Sequence, residues 1–135
     1  MAIIVLSVED DPAAYHVLRI AFQESGFPVQ LYRAVDGEEA LALLHGSGPD
    51  APMPRPHLIL LNLNLPKKSG LEVLAALQAN PKLASIPTVV FTSSSLDSER
   101  AKCLALGAVD YVTKPMNFDG VVQAIQSACE RVASA

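Results

Sequence analysis

The sequence predicts a doubly wound α/β domain, a (βα)5 three-layer sandwich around one five-stranded parallel sheet, and three observations carry that expectation. Short apolar runs rich in β-branched residues alternate five times with segments whose apolar residues recur every three or four positions. The runs are nearly continuous rather than alternating, as strands covered on both faces are, which points to a parallel sheet. The 135 residues, half of them apolar, suffice for one well-filled core and not for two ordinary domains, so a single domain spanning 1–135 is expected.

Ile3 to Val8 is the first strand. Asp11 and Pro12 then supply a cap and a first-turn proline for a helix that turns Ala14, Val17, Leu18, Ala21 and Phe22 inward and stops at Gly26. Val29 to Ala34 is the second strand, and Asp36 with Glu39 three residues on opens a helix that runs to about Gly46. From Gly46 to His57 the chain reads GSGPDAPMPRPH, a proline-rich surface connection inside the domain. Leu58 to Leu63 is the third strand. Ser69 and Glu72 form a capping box for a helix carrying Leu71, Leu74 and Leu77, and Pro87 to Thr92 is the fourth strand. Leu96 to Leu106 is the fourth helix, ended by Gly107, and Val109 to Thr113 is a brief fifth strand. Val121, Val122, Ile125, Cys129 and Val132 mark the inner stripe of the last helix. Right-handed crossovers join such strands.

Composition excludes several classes. The formal charge is −4 and there is no Lys/Arg run, which argues against nucleic-acid and membrane-surface binding, since both depend on clustered positive charge. Cys103 and Cys129 lie in helical segments with no CxxC or Cys/His cluster, so they read as buried thiols rather than a disulfide or a metal site. The N-terminal apolar run is short, has no basic lead-in and ends in acids, unlike a secretory signal or a membrane span. A cytoplasmic protein is expected. His16, His45 and His57 have no ligand spacing and read as background.

In an open sheet of this kind, ligands gather beyond the carboxyl ends of the strands, where strand order reverses. Glu9 and Asp10 follow the first strand, Asn62 and Asn64 end the third, Thr92 ends the fourth and Lys114 follows the fifth, so residues far apart in sequence should share one rim. Adjacent carboxylates with further oxygen donors suit a hard cation such as Mg2+. A carboxylate at the end of the third strand could attack a phosphoryl group, with the metal and a lysine neutralising its oxygens and a hydroxyl holding one. Thr92 and Lys114 supply that hydroxyl and that ammonium.

These residues resemble the receiver domains of two-component response regulators. VEDDP resembles the family's acidic turn, LILLNLNLPKKSGLEVL its phosphoacceptor segment, VVFTSSS its hydroxyl segment and GAVDYVTKP its aromatic and lysine segment, a match running from about Ile3 to Val132. The resemblance implies the strand order 2-1-3-4-5 of flavodoxin-like folds. It implies that Glu9 and Asp10 are the metal-binding acids, joined by Asn62 and by the backbone carbonyl of Asn64. Asn62 occupies the phosphoacceptor place, Thr92 the hydroxyl that contacts the phosphoryl group and moves on activation, Lys114 the phosphate-binding lysine, and Tyr111 the aromatic switch. Pro115 matches a proline that in the family usually follows a cis peptide bond. The proline-rich loop and the LNLPKKSG wording look most like the short regulators paired with phytochrome-type histidine kinases. A sensor histidine kinase is therefore the implied partner, possible homodimers are implied by the face of the fourth helix, fifth strand and fifth helix, and the module is a signalling protein rather than an enzyme.

The departure is Asn62, where the family has aspartate. A neutral amide is a very poor nucleophile, so the acyl phosphate should not form. One carboxylate fewer relieves like-charge repulsion and weakens Mg2+ binding, which should hold the inactive state. Glu9, Asp10, Thr92, Tyr111 and Lys114 all remain, a pattern open both to an introduced Asp-to-Asn change and to a recent natural loss. Two other readings compete. A phosphorylation-independent pseudo-receiver would act as an interaction or dimerisation module. A flavin protein on the same fold would want a Ser/Thr/Gly-rich loop after the first strand, where Glu9, Asp10 and Asp11 stand instead.

Overall fold

The computed structural model describes residues 2–46 and 53–134. The elements are β1 (Ile3–Val8), α1 (Pro12–Glu24), β2 (Val29–Ala34), α2 (Gly37–Leu44), β3 (Leu58–Leu61), α3 (Gly70–Ala79), β4 (Thr88–Thr92), α4 (Asp97–Ala105), β5 (Asp110–Thr113) and α5 (Phe118–Ala133). All four strand pairings are parallel, in the order β2-β1-β3-β4-β5. The fold is therefore the doubly wound, flavodoxin-like sandwich, with its order reversing between β1 and β3. Part of the expected proline-rich connection, 47–52, lies outside the described residues.

Side chains alternate across a strand, and here the alternation divides the core in two. Ile3 and Val5 of β1, Leu58 and Leu60 of β3, and Val89 and Phe91 of β4 pack with Leu18, Ala21 and Phe22 of α1 and Val121, Ile125 and Cys129 of α5. Leu6, Val8, Ile59, Leu61 and Val90 face the other way, against Ala40 and Leu43 of α2, Val73, Leu74 and Leu77 of α3 and Cys103 of α4. Residues 7, 9 and 62 continue the first of these two rows, so Ser7, Glu9 and Asn62 belong to the face that α1 and α5 cover.

The caps fall where the sequence puts them. Asp11 accepts from the Ala13 N–H, Asp36 from Glu39, and Ser69 and Glu72 form the reciprocal capping box. Glu39 instead reaches one residue further back, to the Val35 N–H. Gly26 and Gly107 take positive φ at the ends of α1 and α4, as stopping residues do.

Two expectations need correction. The third strand ends at Leu61, so Asn62 and Leu63 lie beyond it: Leu63 offers its carbonyl to the Leu65 and Gly70 N–H groups, and the chain is already turning toward α3. Val17, expected on the inner stripe of α1, is 42% exposed, because the buried side of that helix centres on Leu18, Ala21 and Phe22.

Candidate functional site

Three site residues share one piece of backbone logic. Glu9, Asn62 and Lys114 are each the first residue past a strand, and each donates its N–H to the last carbonyl of a neighbouring strand. Glu9 donates to Ala34 (3.0 Å), Asn62 to Val8 (3.1 Å) and Lys114 to Thr92 (2.6 Å). Parallel register thus brings residues up to 105 positions apart to the same rim.

Their side chains meet on Glu9, which is 2% exposed. Its Oε1 accepts from Lys114 Nζ at 3.0 Å, and its Oε2 accepts from Asn62 Nδ2 at 3.1 Å and from the Asp11 N–H at 3.2 Å. A buried carboxylate without partners would cost several kcal/mol, and here both oxygens are occupied. The Asn62 amide must turn its NH2 to Glu9, since a carboxylate can only accept. An aspartate at 62 has no hydrogen to offer there.

The remaining expected residues divide. Thr92 is fully buried, and its Oγ1 accepts from the Ser94 N–H at 3.3 Å rather than meeting Glu9 or Lys114. Tyr111 is buried with its hydroxyl donating toward the Ser94 carbonyl (3.1 Å) and Glu99 Oε1 (3.2 Å), and Thr113 Oγ1 donates to the same Ser94 carbonyl at 3.1 Å. Burial raises the Tyr111 phenol above its ordinary range, opposed by the bond to Ser94 and reinforced by Glu99. Asp10 and Asn64 are exposed on the rim, and no hydrogen bond ties either side chain to Glu9. The structure therefore joins Glu9, Asn62 and Lys114 directly, and places Asp10 next to them along the chain.

Sequence reasoning missed two residues beside this cluster. Arg33, on β2, donates from Nε to the Glu9 carbonyl (3.1 Å) and from Nη2 to the Asp10 carbonyl (3.2 Å), with its guanidinium over the Tyr15 ring at 4.9 Å. It clamps the backbone of the acidic turn. Strand register carries the signal, because Ser7 pairs with Arg33 across β1 and β2. Ser7 is the second: its buried hydroxyl has no partner among the described residues, and the space it shares with Glu9, Leu18, Leu60, Asn62 and Phe91 has no room for a water.

Among the described residues there is no group of three or more His, Cys, Asp or Glu placed to hold a metal, and no helix long and apolar enough to cross a membrane. The donor set at the rim is nonetheless all oxygen: the Glu9 and Asp10 carboxylates, the Asn62 Oδ1 left over from the bond to Glu9, and the Asn64 carbonyl. In kind that set fits Mg2+, a hard cation that keeps several waters and takes one or two carboxylates. When bound, the cation would neutralise phosphoryl oxygens. Among the protein groups, Lys114 would supply positive charge, and the neutral amide of Asn62 is a very poor nucleophile.

Comparison with known proteins bears on the family and on the fold. The family model described as Response regulator receiver domain matches residues 5–126. Response regulator Rcp1 of Synechocystis sp. is 37% identical over 123 residues, which cover 91% of this chain and 84% of that protein. The crystal structure of the Mn(2+)-bound form of Rcp1 aligns with a TM-score of 0.83 at 37% identity, covering 92% of this chain and 89% of the other. The phosphorylated cyanobacterial phytochrome response regulator RcpA aligns with a TM-score of 0.90 at 35% identity, covering 99% and 96%.

Proposed function

The chain belongs to the response regulator receiver domain family and closely resembles phytochrome-associated response regulators, and from that premise we propose that it is a receiver whose phosphoacceptor position, Asn62, is chemically silent. It docks a sensor histidine kinase of phytochrome type, transmits through protein contacts and turns over no substrate. Receivers generally bind Mg2+; here Asn62 weakens that binding and holds the inactive arrangement. The observation that carries this reading is the Asn62 Nδ2 bond to Glu9 Oε2 at 3.1 Å, which uses a hydrogen that an aspartate lacks. The side chain that should attack a phosphoryl group is instead a donor in a satisfied network, and its oxygen is a poor nucleophile.

The experiment is phosphotransfer from an autophosphorylated phytochrome-type kinase. Asn62→Asp should take label and the chain itself should not, while an excess of the unlabelled chain should slow transfer to Asn62→Asp by competing for the kinase. Label on the chain itself, retained when Asn62 is replaced by alanine, would refute the acceptor assignment.

A second reading, an interaction module independent of phosphorylation, draws on exposed apolar side chains at α4, β5 and α5. Leu96, Leu104, Val109 and Phe118 all stand in solvent there, and such residues suit a homodimer face. Light scattering of the chain and of Asn62→Asp, each with and without phosphodonor, tests it: equal dimerisation in all four samples favours this reading, and dimers only in phosphorylated Asn62→Asp exclude it.

A further inference from the structure

The donor set at the rim is suited to a divalent cation, yet its most buried member is already paired with a cation from the protein itself. Glu9 Oε1 lies 3.0 Å from Lys114 Nζ, in an ion pair whose carboxylate side chain is 3% exposed and whose lysine is 26% exposed. The lysine is anchored at two further points, one on its backbone and one on its ammonium. Its backbone N–H is fixed to the Thr92 carbonyl at 2.6 Å, and Nζ stands 5.9 Å over the Phe91 ring centroid, within reach of the ring's negative face. Asn62 and Asp11 fill the other carboxylate oxygen. Of the roughly four lone-pair directions on a carboxylate, three on Glu9 therefore have occupants, and the one left on Oε1 lies beside the Lys114 ammonium.

Charge explains why the lysine sits there. With an aspartate at 62 the rim would hold three carboxylates, and one lysine could not neutralise them; with Asn62 it holds Glu9 and Asp10. Lys114 then has one buried acceptor to choose, and Asn62 stabilises that choice by donating to the same carboxylate. We propose that the Lys114 ammonium is the resident cation of this site, locked onto Glu9 with the help of Asn62, and that a divalent cation enters only by displacing it. This inference rests on the receiver reading of the site given above. It adds that Lys114 acts as a competitor of the metal, a role separate from phosphate binding.

The sign of one substitution follows. A site open to metal only when Lys114 has swung away binds metal more weakly in proportion to the open fraction, so a lysine paired nine-tenths of the time weakens binding about tenfold. Lys114→Met should therefore tighten Mn2+ binding about tenfold, read by calorimetry or by paramagnetic broadening. Lys82→Met removes the same formal charge on the turn after α3 and should leave the affinity within about twofold, since exposed charges beyond a Debye length are screened. No tightening of Lys114→Met beyond that control overturns the proposal.

A second readout uses the unaltered chain, so that misfolding of Lys114→Met cannot obscure the answer. During a Mg2+ titration the Lys114 side-chain resonances should move from their ion-paired to their free position with the same midpoint as the Glu9 and Asp10 amides. Saturation of those amides with the Lys114 resonances unmoved overturns it as well. The underlying reading fails separately: if Asn62→Asp binds no Mn2+ at millimolar concentration, the rim is no cation site, and this proposal falls with it. Binding by Asn62→Asp without tightening in Lys114→Met sinks the competition alone.

Discussion

Restoring the carboxylate should weaken the fold before any metal is added. In Asn62→Asp the hydrogen bond from Nδ2 to Glu9 disappears, and a hydrogen bond to a charged group is worth roughly 1.5–3 kcal/mol. A second carboxylate then stands near Glu9. Two unit charges about 4 Å apart repel by about 4 kcal/mol at the effective dielectric of a protein surface. Lys114, now between two acids, offsets part of that repulsion, and Asn62 is only partly buried, so water offsets more. The net loss should be about 2–4 kcal/mol at neutral pH in chelator, or roughly 6–15 °C in Tm for a domain of this length. Urea denaturation of both proteins measures it, in EDTA and again with Mg2+. The metal should recover much of the loss in Asn62→Asp and shift the unaltered chain little, because binding to the native state alone stabilises in proportion to affinity. An Asn62→Asp protein as stable in EDTA as the unaltered chain would refute the reasoning, since it would mean that Glu9 does not depend on the amide.

Three more outcomes follow from single residues. Ser7→Ala removes a buried hydroxyl that has no partner among the described residues, and the urea midpoint should rise by the equivalent of about 1 kcal/mol; a fall would mean that the hydroxyl is satisfied. Gly70→Ala would place a Cβ 2.6 Å from both the Asn62 carbonyl oxygen and the Leu63 Cα, which should cost roughly 1–3 kcal/mol and shift the Asn62 amide resonances, whereas an unchanged spectrum would show that α3 can retreat freely. Burial pushes the Cys129 thiol from 9.0 up to about 11, so the unfolded chain loses this proton first. The stability it contributes is fully present below about pH 9 and is lost as pH rises toward 11, by roughly 2–3 kcal/mol at about 1.4 kcal/mol per unit. Cys129→Ala should flatten that alkaline decline, and an identical decline in the variant would remove Cys129 as its cause.

The fold was legible because its signals are local. Continuous apolar runs, caps at Asp11, Asp36 and Ser69 and stops at Gly26 and Gly107 each act within a few residues of themselves. The end of β3 was misjudged because Leu63 is apolar and buried without being in the sheet: it packs beneath the turn into α3. Val17 was misjudged because helical spacing gives a stripe but not its width.

The site was legible as a set and not as a network. The rule that ligands lie beyond the carboxyl ends of parallel strands brought Glu9, Asn62 and Lys114 together from three distant segments. Spacing could not say that Glu9 would be their common acceptor, or that Thr92 would turn to Ser94, because those choices depend on rotamers and on which charges remain to be neutralised. Arg33 was invisible for the same reason: its role is to hold backbone carbonyls, and nothing in its own segment announces that.

Intact-mass spectrometry after incubation with a small-molecule phosphodonor and Mg2+ tests the silence of position 62 most directly. The account predicts one added phosphoryl group on Asn62→Asp and none on the chain as it stands. A phosphoryl adduct on the unaltered chain that maps to Asn62, or one that needs Thr92 and Lys114 yet survives loss of Asn62, would contradict it.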